Sequence, residues 1–338
     1  MSEVDRHHHY LYLEHIISID QNIFMKPIIV ATDFSPASQN AANYAADIAM
    51  FLRTDLILVH VIEIPATPFQ VPMTEFEYNE IESIERSNMD DLQKKLIART
   101  KNKINIHSEI QYGTVEFEIE KLSYRKKPFA IIMGFKNNNA KRFFMGSNML
   151  KLIHHSLYPV LIVPEDVSFK KIKSIAIASD LDSEEKDISL LFTKEWLNAF
   201  GVSPDIIHVR KEENGQSEIG GGIKTLQDNL AEFSPKFYFR YEKGVDEGIN
   251  SFIAENKPDL LIVIPENHGF LESLFRKSNS KQIILHSQVP VLSVFATNAK
   301  QNSNHIEMGD RPDSTNKFKG NGEDKKKMRH TDETHLSA

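Results

Sequence analysis

A chain of 338 residues with 41% hydrophobic content can build two domains, each with its own core, and a formal charge of -7 argues against nucleic acid as a partner. The absence of cysteine excludes disulfides, thiol catalysis and thiolate metal sites, and it fits a reducing compartment. No apolar run approaches the roughly 20 residues of a membrane-spanning helix, and the N-terminus lacks the basic-then-apolar order of a secretory signal, so a cytoplasmic protein with no membrane partner is expected.

Residues 1–24 read as an N-terminal extension whose three histidines, His7 to His9, have no fixed partner. From Ile28 to Ala31 the run is continuous and β-branched, as a strand buried on both faces requires. Ser35-Pro36 then introduces an alanine-rich helix over Ala37–Leu52. A second strand is predicted at Leu56–Ile62, a proline-broken loop from Glu63 to Pro72, and a long amphipathic helix over Tyr78–Arg99. Further strands follow at Ile104–Ile110, Phe129–Met133 and Val160–Val163, with helices around Val115–Tyr124 and Ser147–His155. Strands alternating with helices predict a parallel sheet with right-handed crossovers.

The pattern then begins again. Ile177-Ala178-Ser179-Asp180-Leu181, Ile206-Ile207-His208-Val209 and Val289-Pro290-Val291-Leu292-Ser293-Val294 echo Ile29-Val30-Ala31-Thr32-Asp33-Phe34, Leu58-Val59-His60-Val61 and the stretch Tyr158 to Val163. The expected class is therefore α/β: two doubly wound, parallel five-stranded sheets with flanking helices. The domains are placed at 25–166 and 172–297, before a polar, disordered tail at 298–338. The closing rows Val160–Val163 and Val291–Val294 are aliphatic edges that exposure would penalise, and antiparallel pairing within the chain would bury both.

Ligands of such sheets sit outside the carboxyl ends of the strands. In the first copy this points to Thr32-Asp33-Phe34-Ser35, to His60-Val61, and to the stretch from Gly134 to Ser147, with Lys141 and Arg142 as cations and Gly146-Ser147 opening a helix. A helix cap explains Gly146-Ser147 when it is taken alone; its position after the fourth strand favours a ligand. His60 and His208 lack a second ligand at metal spacing and read as structural, and His154-His155 suits a helix C-terminus. Asp33 and Asp180 lack the acidic pair of a phospho-acceptor, and neither a dinucleotide glycine fingerprint nor a Walker lysine is present.

Taken in order, Ala31-Thr32-Asp33-Phe34-Ser35, Leu58-Val59-His60-Val61, Gly113-Thr114, Met133-Gly134, Gly146-Ser147-Asn148 and Pro159-Val160-Leu161-Ile162-Val163-Pro164 resemble the universal stress protein family, in a tandem two-domain form. The resemblance implies a Rossmann-like fold and a stress-response protein acting by binding. It also implies an ATP site in the first domain only, with no metal beyond a nucleotide-bound Mg. By that likeness Thr32, Asp33 and Val61 hold the nucleoside, while Gly134, Gly146, Ser147 and Asn148 wrap ribose and phosphates. The chain departs from the family's loop at Asn137, where a glycine is usual, and the eight residues Asn138 to Met145 are one fewer than the family's spacing. In the second copy Ile264-Pro265 and Lys277-Ser278 replace the glycine positions, and proline removes an amide donor, so no nucleotide site is expected there. A slow ATP hydrolase and a nucleotide-independent interaction scaffold are the alternative readings; the first lacks an obvious general base beside the loop.

Overall fold

The computed structural model describes residues 26–63, 75–136, 147–179, 187–210, 221–242, 244–264 and 289–294. The extension 1–24 and the tail 298–338 lie outside the described residues. In chain order the first half contains β1 (Ile28–Ala31), α1 (Pro36–Leu52), β2 (Leu56–Ile62), α2 (Glu75–Thr100), β3 (Ile106–Tyr112), α3 (Val115–Lys126), β4 (Ala130–Phe135), α4 (Ser147–His155) and β5 (Val160–Pro164). The second half contains β6 (Ile175–Ser179), α5 (Asp187–Phe200), β7 (Pro204–Arg210), α6 (Gly221–Asn229), β8 (Lys236–Tyr241), α7 (Val245–Asn256), β9 (Leu260–Ile264) and β10 (Val291–Ser293).

Ile28, Ile29 and Val30 are fully buried, because β1 lies between β2 and β4 under helices and has no face left for water. In α1, Ala41, Ala42, Ala45, Ala46 and Ala49 line the buried side, so the helix can lie close against the sheet. Arg53 ends α1 in the left-handed region, its N–H donating to Ala49 O. Thr114 caps α3 by accepting from the Phe117 N–H.

Strand order is β3-β2-β1-β4-β5 in the first half and β10-β9-β6-β7-β8 in the second, with all pairs inside each half parallel. The two five-stranded halves are not separate sheets. β5 and β10 pair antiparallel, with Leu161 opposite Leu292, Ile162 opposite Val291 and Val160 opposite Ser293, so one ten-stranded sheet runs through the molecule. Around that seam an aromatic layer joins the halves: Phe129 stacks on Trp196 at 4.7 Å and Phe51 on Phe200 at 5.3 Å, while Tyr44 meets Phe169 edge-on. The connecting segment is pinned too, since Asn40 Nδ2 donates to Pro164 O and Val167 O, both at 2.9 Å. Lys26 Nζ and Glu195 Oε1, 2.6 Å apart, form an ion pair across the halves with both side chains largely buried.

Among the strands, the bounds of β3 and β4 differ most from the sequence expectation. β3 starts at Ile106 rather than Ile104, because Lys101 and Asn102 take positive φ and the ladder begins with Leu56 opposite Ile106. β4 runs on through Gly134 to Phe135, paired with Val163 and Pro164, instead of ending at Met133. The long helix gains a turn at its start, from Glu75 rather than Tyr78.

Candidate functional site

β1 and β4 are neighbours, yet the chain leaves β1 for β2 on one side and leaves β4 for β5 on the other. This is the topological switch point, where the connections diverge and where open α/β sheets of this kind bind ligands outside the carboxyl ends of their strands. Thr32, Asp33, Val61 and Gly134 stand at those ends, and Ser147 and Asn148 begin α4.

The turn after β1 is fixed by its own side chains. Thr32 Oγ1 accepts from the Phe34 N–H at 3.1 Å and lies 3.1 Å from Ser38 Oγ. Ser38 Oγ donates to Ser35 O, so the Thr32 hydroxyl proton goes to Ser38 Oγ and the network closes with one proton per contact. Ser35 caps α1 by accepting from the Ser38 N–H, and Pro36 suits the first helical position. These contacts hold Phe34 at φ 59, in the left-handed region. The structure therefore makes Thr32, which is buried, a builder of the turn.

Asp33 is exposed, and its Oδ1 accepts from the Ser35 N–H at 3.0 Å. Partial burial pushes its carboxyl up, but the hydrogen bonds it accepts, those of Ser35 foremost, prevail and hold it below the usual range. An ionised carboxylate only accepts hydrogen bonds, so Asp33 suits the hydroxyls of a sugar and repels phosphate.

His60 serves the same turn. Its Nδ1 lies 2.8 Å from Thr32 O; a carbonyl only accepts, so Nδ1 carries the proton. Glu85 Oε2 stands 3.7 Å from Nε2, and the Phe34 ring packs on the imidazole with centroids 4.6 Å apart. Both nitrogens thus face structural partners, as the sequence reading of His60 expects. Val61 is half-buried against the core one residue beyond. At the end of β2, Glu63 Oε1 accepts from Asn148 Nδ2 at 3.1 Å, which ties β2 to the first turn of α4.

Gly134 requires a different account from the one its sequence suggests. A Cβ there would sit 2.2 Å from Ala37 O and 2.6 Å from Ser38 N. The glycine lets β4 pass directly beneath the first turn of α1, so the close approach is made by the chain's own backbone. Asn137, Lys141, Arg142 and Gly146 lie outside the described residues, as do the side chain of Ser147 and, in the second half, Asp180, Pro265, Lys277 and Ser278.

Sequence reasoning passed over Ser38, Glu63 and Glu85. Ser38 carried a signal, since Ser-Pro-x-Ser places a second hydroxyl in the first helical turn; Glu63 and Glu85 carried none, because their roles depend on which elements meet. Among the described residues no group of three His, Asp or Glu side chains could hold a metal, and no helix is long and apolar enough to cross a membrane.

Comparison with known proteins bears on the family and the fold. Residues 25–164 match the model of the Universal stress protein family. A universal stress protein of Methanocaldococcus jannaschii is 27% identical over 156 residues, which is 46% of this chain and 90% of that protein. Among solved structures, a universal stress protein from Archaeoglobus fulgidus aligns with a TM-score of 0.61 at 20% identity, over 80% of this chain and 96% of that one. A functionally unknown protein from Pseudomonas aeruginosa aligns over 86% of this chain and all of its own, with a TM-score of 0.50 at 11% identity. At these identities the two structures speak for the shared fold.

Proposed function

Since this chain belongs to the universal stress protein family through residues 25–164, we propose that it is a stress-response protein that works by binding, with an adenine nucleotide, ATP, held at the switch point of the first domain. The observation that carries the proposal is the Thr32–Ser38 turn with Asp33 at its exposed corner: an ionised acceptor, rigidly placed beside Val61 and opposite the start of α4. In this reading Asp33 accepts from the ribose hydroxyls, and Thr32 and Val61 flank the base. The phosphates lie away from Asp33, towards Gly146, Ser147 and Asn148, where the free N–H groups of α4 favour anions. Gly134 contributes indirectly, by setting the distance between β4 and α1. Any Mg is carried by the nucleotide.

The domains are taken as 25–166 and 172–297, with the second not binding nucleotide because Pro265 and Lys277 replace its permissive positions. A cytoplasmic location agrees with the lack of cysteine. Catalysis is not part of the proposal. Ser38 Oγ is taken up by Thr32 and Ser35 O, and the His60 nitrogens face Thr32 O and Glu85, so the imidazole is not poised as a base for the Thr32 or the Ser38 hydroxyl.

The test is nucleotide analysis of the purified chain together with melting at millimolar ATP, where a ligand of the folded state must raise Tm. A rise is expected for the wild type and for Ser278→Ala, and its loss for Asp33→Ala and Gly146→Lys. No ATP-dependent rise in the wild type overturns the proposal.

A further inference from the structure

A second carboxylate borders the switch point. β1 stops short of both its neighbours: Ala31, its last residue, pairs with Val59, and β2 then runs on to Ile62 while β4 runs on to Phe135. Asp33 lies in the turn that follows this short strand, and Glu63 is the first residue beyond β2. Glu63 Oε1 accepts from Asn148 Nδ2 at 3.1 Å, although 85 residues separate them in the chain. Because α4 follows β4 and β1 lies between β2 and β4, this one bond joins the two sides of the switch point.

Asn148 belongs to the first turn of α4, where the free N–H groups favour anions. In the structure its amide donor serves the Glu63 carboxylate. A phosphate oxygen at the start of α4 is an acceptor of the same sign, so it must displace Glu63 from Asn148 and then bear its repulsion at close range. Of the described cations just after β4 and on α4, Lys136 stands 4.0 Å from Glu165 and Lys151 stands 3.8 Å from Glu116, so each already answers a carboxylate. Lys141 and Arg142, outside the described residues, are common to every protein compared below. At the offset that aligns His60 with His208, Glu63 corresponds to Lys211. Both signs of charge thus occur at this position of the repeat, which makes it a place where charge can be varied alone.

We propose that Glu63 is a specificity-determining residue of the switch-point site: its carboxylate, standing where a phosphate would meet Asn148, selects among adenine ligands by phosphate charge and weakens binding as that charge grows. The inference rests on the reading of this site as an adenine-nucleotide site, and it adds that ATP binds there against a repulsion that adenosine does not feel. Glu63 and Asp33 then act differently on one ligand. Asp33 accepts from the sugar, whereas Glu63 competes with the phosphates for the donor on α4.

The experiment is calorimetric titration of the full chain with adenosine, AMP and ATP in magnesium-free buffer, at low and at high salt, for the wild type, Glu63→Gln and Glu63→Lys. Glu63 is exposed, so all three proteins should melt alike without ligand. The Gln amide oxygen still accepts from Asn148, so Glu63→Gln removes the charge and keeps the bridge. The gain in affinity from wild type to Glu63→Gln is expected to be largest for ATP, about threefold or more, smaller for AMP and smallest for adenosine. Glu63→Lys should extend the same order, and high salt should shrink it. Gains that are equal for the three ligands, or a loss of ATP affinity in Glu63→Gln, overturn the inference and leave the adenine site standing. So does ATP that binds none of the proteins when adenosine binds them. If none of the three ligands binds any of the proteins, the site itself is refuted, and the inference with it.

Discussion

Glu120 gives the most direct test of how burial sets the chemistry of this fold. It lies on α3 with its carboxyl turned against the end of α4: one oxygen is bonded to Ser156 and the Leu157 N–H, and Oε1 is buried with no hydrogen-bond partner among the described residues. Lys151 answers Glu116, one turn away, rather than Glu120. Burial pushes the Glu120 carboxyl up, the bonds to Ser156 and Leu157 oppose it and Glu116 adds to it, leaving a pKa of about 8 against an ordinary 4.5. The folded chain therefore keeps a proton there that the unfolded chain releases. The stability tied to this proton is complete below pH 4.5 and is lost as pH climbs towards about 8. Each pH unit in that window costs roughly 1.4 kcal/mol, so by neutral pH the fold has given up about 3 kcal/mol. Glu120→Gln is neutral at every pH and escapes the loss. Urea unfolding of both proteins at pH 5, 6, 7 and 8 should show the variant gaining steadily on the wild type by that amount. The amide may add a constant offset, so the slope is the test; stability curves that run parallel across the window refute the reasoning.

Gly134→Ala forces a methyl into the Ala37 carbonyl at 2.2 Å; it should cost about 1–3 kcal/mol by thermal or urea melting and, by displacing the Thr32–Ser38 turn, abolish any ATP-induced rise in Tm. Lys26→Met strands Glu195 in the seam between the halves. A loss of about 3–5 kcal/mol is expected, most of it recovered in Lys26→Met/Glu195→Leu, because an apolar pair needs no charge partner; equal unfolding free energies for the single variant and the wild type would count against this. Ser293 Oγ is buried opposite Val160 with no partner among the described residues, so Ser293→Ala should raise the urea midpoint, by a gain of about 1 kcal/mol.

Much of the fold was legible because a strand buried on both faces must be an unbroken apolar run, and Ile28–Ala31, Leu56–Ile62 and Val160–Val163 are such runs. The boundaries that moved did so where residue type and position disagree. Ile104 is apolar but follows two residues at positive φ, so it packs against the core from the turn rather than from the ladder. Gly134 reads as a break because glycine in a strand has no side chain to pack, yet here its bareness is what lets the strand continue under α1. The site was legible only as a set of strand ends. Thr32, Asp33 and Val61 could be placed from the pattern, but what each does depends on neighbours that sequence spacing does not reveal. The Thr32 hydroxyl is spent on Ser38 and Phe34, His60 on the Thr32 carbonyl, and Glu63 on Asn148. That leaves Asp33 as the ionised acceptor at the exposed corner of the turn, with its neighbours occupied in holding it there. Asp33→Asn preserves the size of the side chain and removes its charge. A contact to sugar hydroxyls should survive this better than Asp33→Ala, because the amide oxygen can still accept; if both substitutions weaken ATP-induced stabilisation equally, the carboxylate's charge and not its acceptor geometry is what the site uses.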